Sequence, residues 1–314
     1  AVQREQFERL GVIGDWEDPY LTMKFEAEAT IAGELLKFAE SGQLYRGARP
    51  VMWSPVEKTA LAAAEVEYED ITSTQIDVAF EITEAPNAPE LVGAHAVIWT
   101  TTPWTIPVNQ ALSYGEEIIY ELFEYQGQRF LVANQLRQAF LNRLSGTTAL
   151  AADSKVAFVS EPTRLIATVR GSDLAGAKAR HPMHKLGGFF ATPRPLLPGD
   201  FVTTDAGTGL VHMAPDHGED DFLLCKAHGI NPVFAVEGDG RYRDDWLWLG
   251  GQGSVINPKF TASGNGGKLE EGPICRDLRE AGALLAASDD FTHSYPHSWR
   301  SKAKIIFRAT PQWF

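Results

Sequence analysis

Three consecutive hydroxyls, Thr100, Thr101 and Thr102, follow the apolar run HAVIW and precede Pro103. Far along the chain the segment GTGLVHMAPDHGEDD (residues 207–221) follows its own strand-like run with two histidines and four carboxylates. Hydroxyls donate and accept, so a threonine cluster suits a ligand carbonyl, a ribose hydroxyl or a water. Both segments are broken by Gly or Pro, and loops at the ends of rigid strands are where binding and catalytic groups gather. Strand alternation points Thr100 and Thr102 one way and Thr101 the other. Threonine is also an ordinary strand residue, so site and structure weigh evenly here. Leu210 and His212 share a strand face, where a lone histidine is more often structural than catalytic. Asp220 and Asp221 open a helix, whose dipole favours acids in the first turn. Adjacent helical side chains diverge by about 100°, so one carboxylate caps and the other is free.

Other chemistries have weaker signatures. His212 and His217 with Asp220 or Asp221 lack the i,i+4 histidine pair of helical zinc hydrolases, which leaves a metal-dependent hydrolase as an alternative. There is no G-x-S-x-G elbow, no P-loop and no dinucleotide-binding glycine pattern.

The elements that must hold these residues are mostly strands. DVAFEIT, HAVIWT, EIIYELFEY, QRFLVA, VAFVS, RLIATVR, FVTT and GLVHMA all read as strands, and Gln126-Gly127 reads as a hairpin turn. Ala27, Ile31, Leu35 and Phe38 repeat at helical spacing before a C-terminal Gly42. Further helices are expected over NQLRQAFLNRL with Asn134 as cap, from about Asp220 to Gly229, and from Pro273. AEVEYED changes to strand-like alternation, which places a boundary there. The expected class is α+β and β-rich, a partly closed β-barrel core with peripheral helices. GGQGS and SGNGG around residues 250–267 read as flexible loops.

The 44% apolar and 22% charged composition is that of a globular chain. No apolar run is long enough to cross a bilayer and no signal-peptide core opens the sequence, which reads as a soluble cytoplasmic protein. Cys225 and Cys275 lack metal-ligand spacing and read as reduced core thiols. A net charge of −13 argues against nonspecific coating of nucleic acid. Locally, Lys155, Arg164, Arg170, Lys178, Arg180, Lys185 and Arg194 outnumber Glu161 and Asp173, and could make one basic face or a solvated mixed surface.

WTTTPWTIPVNQA (99–111) and GTGLVHMAPDHGEDDF (207–222) resemble the two signature segments of the editing domain, or connective peptide 1, of isoleucyl-tRNA synthetases. FERLGVIGDWEDPYLTM, LAAAEVEY and HSYPHSWRSKAKIIFRATPQWF resemble the flanking sequence of that family, so nearly the whole chain is covered. Valyl and leucyl relatives show TTRPET or TTRPDT, and Trp104 favours the isoleucyl member. The resemblance implies an excised fragment without the HIGH and KMSKS adenylation motifs. It also implies a helical stem over 1–66, the editing domain over 67–290 and a return to the synthetase body over 291–314.

On this resemblance Asp221 matches the aspartate that holds the substrate α-ammonium. Thr100, Thr101 and Thr102 match the threonines that position the ester and the attacking water. His212 matches the histidine that excludes isoleucine, and Trp99, Thr105 and Asn109 match nearby lining positions. The implied reaction is hydrolysis of mischarged Val-tRNA(Ile), and of valyl-adenylate, without a covalent intermediate. Asp221, paired with the ammonium, would stay ionised and make a poor general base. Ser54, Glu57, Ser298 and Ser301 stand where many members carry a cysteine zinc knuckle, so no structural zinc is expected. No cofactor is expected for editing, whereas the parent ligase would use ATP and Mg. The implied partners are the tRNA(Ile) acceptor end carrying valine and the remainder of the synthetase, with a monomeric chain and no membrane. A tRNA acceptor-end binding module, inactive in isolation, is the other alternative.

Overall fold

The structure is a computed structural model that describes residues 2–146, 163–264 and 269–314. The chain divides into two compact units, residues 1–48 with 311–314, and residues 49–310. In the first, helices α1 (Val2–Arg9) and α2 (Phe25–Glu40) bury no residue. The expected stripe of α2 is present, but Ile31, Leu35 and Phe38 on it are exposed. Gly42 has φ 75° and its N–H bonds Ala39 O, closing the helix as its position suggested.

The second unit is built on a mixed sheet. Along the chain its strands are β1 (Arg46–Ser54), β2 (Thr59–Ala60), β3 (Val66–Glu84), β4 (His95–Thr100), β5 (Ala111–Tyr114), β6 (Ile119–Tyr125), β7 (Gln128–Ala133), β8 (Arg164–Arg170), β9 (Lys178–Arg180), β10 (Arg194–Pro198), β11 (Leu210–Met213), β12 (Leu284–Ser298) and β13 (Ile306–Trp313). Helices α3 (Arg137–Leu144), α4 (Glu219–Ala227), α5 (Pro258–Thr261) and α6 (Pro273–Glu280) flank it. The main sheet runs β11-β5-β10-β9-β3-β4-β7-β6-β8, and β12 pairs with β3. AEVEYED and DVAFEIT are therefore one long strand, which β12 follows antiparallel from Leu284 to Ser298.

Period-2 patterning decides which face goes where. Ile76, Val78, Phe80 and Ile82 of β3, Ala96 and Ile98 of β4, and Leu131 of β7 enter the principal core. Val97, Phe123, Phe130 and Val132 point to the opposite face, which Phe140 and Leu141 of α3 cover. The Gln126-Gly127 hairpin has φ 50° and 77° at its two turn residues, which a primed turn requires.

Several expectations need correction. The sheet is open: β8 and β11 end its path and do not pair with each other. Alternation specifies the buried face, whereas closure depends on strand tilt and shear, which it does not encode. FVTT forms no strand. Asn134 starts a short 3-10 turn and makes no capping bond. VAFVS, Lys155, Glu161 and part of SGNGG lie outside the described residues. The basic stretch is largely neutralised, because Arg164, Arg170, Lys178 and Arg180 pair with Glu124, Glu117, Glu84 and Glu81. Arg194 is buried against the carbonyls of Thr192 and Phe189. Cys225 and Cys275 are free and buried, and burial pushes both thiols up to about 12. Among the described residues no helix is long and apolar enough to cross a membrane.

Candidate functional site

The sheet brings the two motifs together. β5 leaves the threonine segment and pairs with β11, so that His212 lies opposite Leu112 and Met213 opposite Ala111. Gln110 N–H donates to Met213 O at 2.8 Å. Gly207, with φ 80°, lays its backbone against Trp99: a Cβ there would sit 3.2 Å from the indole. Its neighbour Gly209 is as constrained, since a Cβ would lie 2.4 Å from that of Ala133. Both glycines of GTG are thus required by close approach of the main chain, Gly207 to Trp99 beside the first motif and Gly209 to β7.

The hydroxyls divide only in part as alternation suggests, since Thr102 bonds Thr100 yet lines a cavity with Thr101. Thr100 is buried and its Oγ1 lies 3.1 Å from that of Thr102, while also accepting the Thr102 N–H. Thr101 and Thr102 are half-buried and line a cavity of about 230 Å³ together with Trp104, Thr74, Asp289, Tyr295 and Lys304. After them the chain does not loop into solvent. Pro103–Val108 is a wholly buried 3-10 segment, and distant side chains satisfy its carbonyls. The Tyr242 hydroxyl donates to Trp104 O, the Trp246 indole to Pro107 O at 3.3 Å, and His181 Nε2 lies 3.0 Å from Ile106 O. His181 is fully buried among Phe80, Phe190 and Trp248, and burial holds its ring neutral.

His212 meets the first motif directly, with Nε2 2.9 Å from Thr105 Oγ1. Thr105 has one hydroxyl hydrogen and gives it to Thr102 O at 2.9 Å, so it must accept from His212 Nε2–H. That fixes the tautomer and leaves Nδ1 as a bare, buried lone pair without a partner among the described residues. Burial lowers the ring to about 4, so it is neutral at physiological pH. Thr105→Val would strand the His212 Nε2–H, whereas the Thr102 carbonyl keeps the Thr105 N–H at 3.0 Å. We expect a loss of about 1–3 kcal/mol in urea denaturation; an unchanged midpoint would remove this bond from the scaffold.

The four carboxylates of the second motif have different fates. Asp216 is buried and accepts from the N–H groups of Val233 at 2.9 Å and Phe234 at 2.6 Å, holding Phe234 at φ 52°. Glu219 pairs with Arg49, and Asp220 is exposed. Asp221 is half-buried, and its Oδ2 accepts the Ala214 N–H at 2.7 Å, tying the start of α4 back to the end of β11. Neither Asp220 nor Asp221 caps the helix, whose N-cap is Gly218 without a side-chain bond. This corrects the expected capping role. Desolvation pushes Asp221 up to about 6, with Asp220 adding to the rise and the Ala214 N–H opposing it.

Trp99 donates from Nε1 to Gln75 Oε1 at 3.0 Å and packs edge-on against Phe291. Asn109 is buried with its amide N–H on Ala111 O at 2.8 Å, and its Oδ1 has no partner among the described residues. His217 contacts Trp104 with ring centroids 4.7 Å apart, and its Nδ1 lies 2.7 Å from Phe307 O. The structure thus joins Thr100, Thr102, Thr105 and His212 in one hydrogen-bonded chain. No hydrogen bond or ion pair among the described residues links Asp221 to the threonines. Nor, among the described residues, do three or more His, Cys, Asp or Glu side chains gather as a ligand set for a metal. Ser54 and Ser298 both donate to the Glu57 carboxylate, and hydrogen bonds from Ser301 and Ser298 hold that carboxyl below its ordinary value.

Sequence reasoning missed Asp216, His181 and Arg143. Arg143 grips the buried Asp77 carboxylate through two bonds of 2.6 and 2.7 Å and also donates to Gly207 O at 3.1 Å. Asp77 is opposite Trp99 across β3 and β4, so one guanidinium braces the strand beside the first motif and the turn before the second. A charged residue inside the alternating run DVAFEIT was the available signal.

The whole chain, residues 1–314, matches the family model of class I tRNA synthetases (I, L, M and V). It is 60% identical over 312 residues to an isoleucine–tRNA ligase of Zymomonas mobilis subsp. mobilis, a match that spans 99% of this chain and 31% of that protein. The isoleucine–tRNA ligase of Gluconobacter oxydans is 46% identical over 99% of this chain and 32% of its own length. The chain therefore spans about a third of the length of these relatives. Among solved structures, a P. knowlesi cytosolic leucyl-tRNA synthetase editing domain matches with a TM-score of 0.34 and 9% identity, over 49% of this chain and 62% of that one. With the family model matching from end to end, the chain belongs to the class I tRNA synthetases of the I, L, M and V group.

Proposed function

We propose that this chain is the proofreading region of an isoleucine–tRNA ligase and hydrolyses the ester of valine mischarged on tRNA(Ile). The observation that carries the reading is the Thr105–His212 bond, which puts the threonine cluster and the second motif at one place. The chemical need is plain. Valine lacks one methylene of isoleucine, and for isoleucyl-tRNA synthetases themselves the first selection is known to separate the two by only about 150-fold, which calls for a second sieve.

In this reading Asp221 holds the α-ammonium of the valyl group through a charge-assisted bond. Thr100, Thr101 and Thr102 position the ester carbonyl and a water. The water oxygen attacks the carbonyl carbon, the bond from carbonyl carbon to ribose oxygen breaks, and the leaving ribose oxygen takes up a proton. An aminoacyl ester is already activated, so orientation supplies much of what the step needs. His212, neutral and fixed by Thr105, serves as the size gauge, with Trp99, Thr105 and Asn109 around it. The partners are then the tRNA(Ile) acceptor end and the remainder of the synthetase, with the chain acting as a monomer in the cytoplasm. Hydrolysis uses no cofactor, while ATP and Mg belong to the ligase reaction of the whole enzyme.

The test is discharge of Val-tRNA(Ile) and Ile-tRNA(Ile) by the chain and by His212→Ala. The wild type discharges the valyl ester alone. Removing the ring opens space for a methylene, worth about 1–3 kcal/mol in such pockets, so the variant's preference for valine falls by about tenfold or more. A wild type that binds tRNA without discharging it would reduce the chain to a docking module.

A further inference from the structure

The cavity beside Thr101 and Thr102 contains chemistry that the hydrolytic step does not use. Asp289 and Lys304 both line it. Asp289 is fully engaged: Oδ1 accepts from Thr74 Oγ1 at 2.5 Å and from Ser263 N–H at 3.0 Å, and Oδ2 from Ser263 Oγ at 2.9 Å. Lys304 is different. It is half-buried, and no carboxylate among the described residues lies within ion-pair distance of it. Its ammonium stands over the Tyr295 ring, 5.6 Å from the centroid. Tyr295 lines the same cavity, and its hydroxyl makes no hydrogen bond among the described residues. Desolvation lowers Lys304, and it pushes Tyr295 up to about 12, so the phenol keeps its proton at neutral pH.

A partly desolvated cation without a counterion is unfavourable unless an anion completes it. A lysine ammonium and a phenol hydroxyl together make a compact donor pair for a phosphate oxygen. The volume, about 230 Å³, suits a sugar phosphate rather than a folded nucleic acid surface. Its position is equally selective, since Thr101 and Thr102 line the same cavity.

We propose that Lys304 and Tyr295 bind the 5′-phosphate of the terminal nucleotide of the acceptor end, so that its aminoacylated ribose faces Thr101 and Thr102. This rests on the proofreading reading above. It makes Lys304 a positioning residue that recognises substrate away from the scissile ester, where binding energy orients the reacting group.

The probes are two nonhydrolysable analogues, 3′-valylamido-3′-deoxyadenosine with and without a 5′-phosphate, titrated against the whole chain by calorimetry. The expected gain from the phosphate is about tenfold in Kd at low salt, the size of one charge-assisted bond, and it shrinks as salt rises. In Lys304→Gln the ratio of the two affinities falls to about one, and Lys304→Arg restores most of it. Tyr295→Phe keeps the ring beneath the ammonium and lowers the ratio partially. A phosphate gain that is absent in the wild type, or that survives in Lys304→Gln, overturns the inference. Failure of the function is seen separately, as a wild type that leaves Val-tRNA(Ile) intact.

Discussion

In the proposed reaction, replacing Asp221 with asparagine is expected to lower kcat/KM for discharge of Val-tRNA(Ile) by at least about thirtyfold, because truncating one partner of a buried charge pair typically costs about 2–5 kcal/mol. Asparagine is the informative variant. Its carbonyl oxygen still accepts the Ala214 N–H that joins α4 to β11, so the local fold persists while the charge is lost. The wild type should also show an acid limb. Burial places the Asp221 carboxyl at about 6, and only the carboxylate can hold an ammonium. Activity is therefore present above that pH and lost as pH falls through it, and kcat/KM reports the titration in the free protein. The expectation that Asp221 stays ionised when paired with the ammonium concerns the bound state, and the limb concerns the free one. In Asp221→Asn the limb disappears. Retention of both the rate and the limb in this variant would assign the ammonium to another group.

Arg143→Met is expected to destabilise the second unit by about 3–5 kcal/mol, the usual cost of leaving a buried charge without its partner. Asp77 is 1% exposed, and its two bonds to Arg143 are what hold a carboxylate there against desolvation. The sign of the pH dependence follows. Burial already raises Asp77, and without the guanidinium the protonated form is favoured further, so the variant gains stability as pH falls and loses it as pH rises. Adding Asp77→Leu removes the stranded charge and should recover much of the loss. Urea midpoints at two pH values and the double-mutant cycle measure this; a loss below about 1 kcal/mol would leave the brace without energetic weight.

The parts of the fold carried by periodicity were legible. The alternation of DVAFEIT, HAVIWT and QRFLVA put the right residues on the two faces, and the helix from Pro273 starts where the proline stands. Strand closure was not, because it depends on tilt and on pairing between remote segments. The site shows the same division. His212 and Thr105 could be named from the motifs, but their bond crosses 107 positions. Asp221 could be chosen over Asp220 only by resemblance, since the argument from helix geometry made the two equivalent. The helix itself uses neither as a cap; Asp221 folds back on Ala214 instead. Asp216 looked like another acid in an acidic loop, and what distinguishes it, two backbone N–H groups brought from Val233 and Phe234, exists only after folding.

The buried 3-10 segment after the threonines bears on the order of folding. Its carbonyls find donors 75, 138 and 139 positions away, in His181, Tyr242 and Trp246. Ile106 O also accepts the nearby Asn109 N–H, but until the chain has collapsed as far as Trp246 the carbonyls of Trp104 and Pro107 lack these donors, and contacts of such long range are slow to form. The threonine cluster should therefore acquire its shape late, in one cooperative step with the segments that carry the three donors. Amide exchange at Thr105 and Asn109 should then be protected to the same free energy as the backbone around Tyr242. A loosening mutation in that distant stretch would disorder the threonine hydroxyls without touching them.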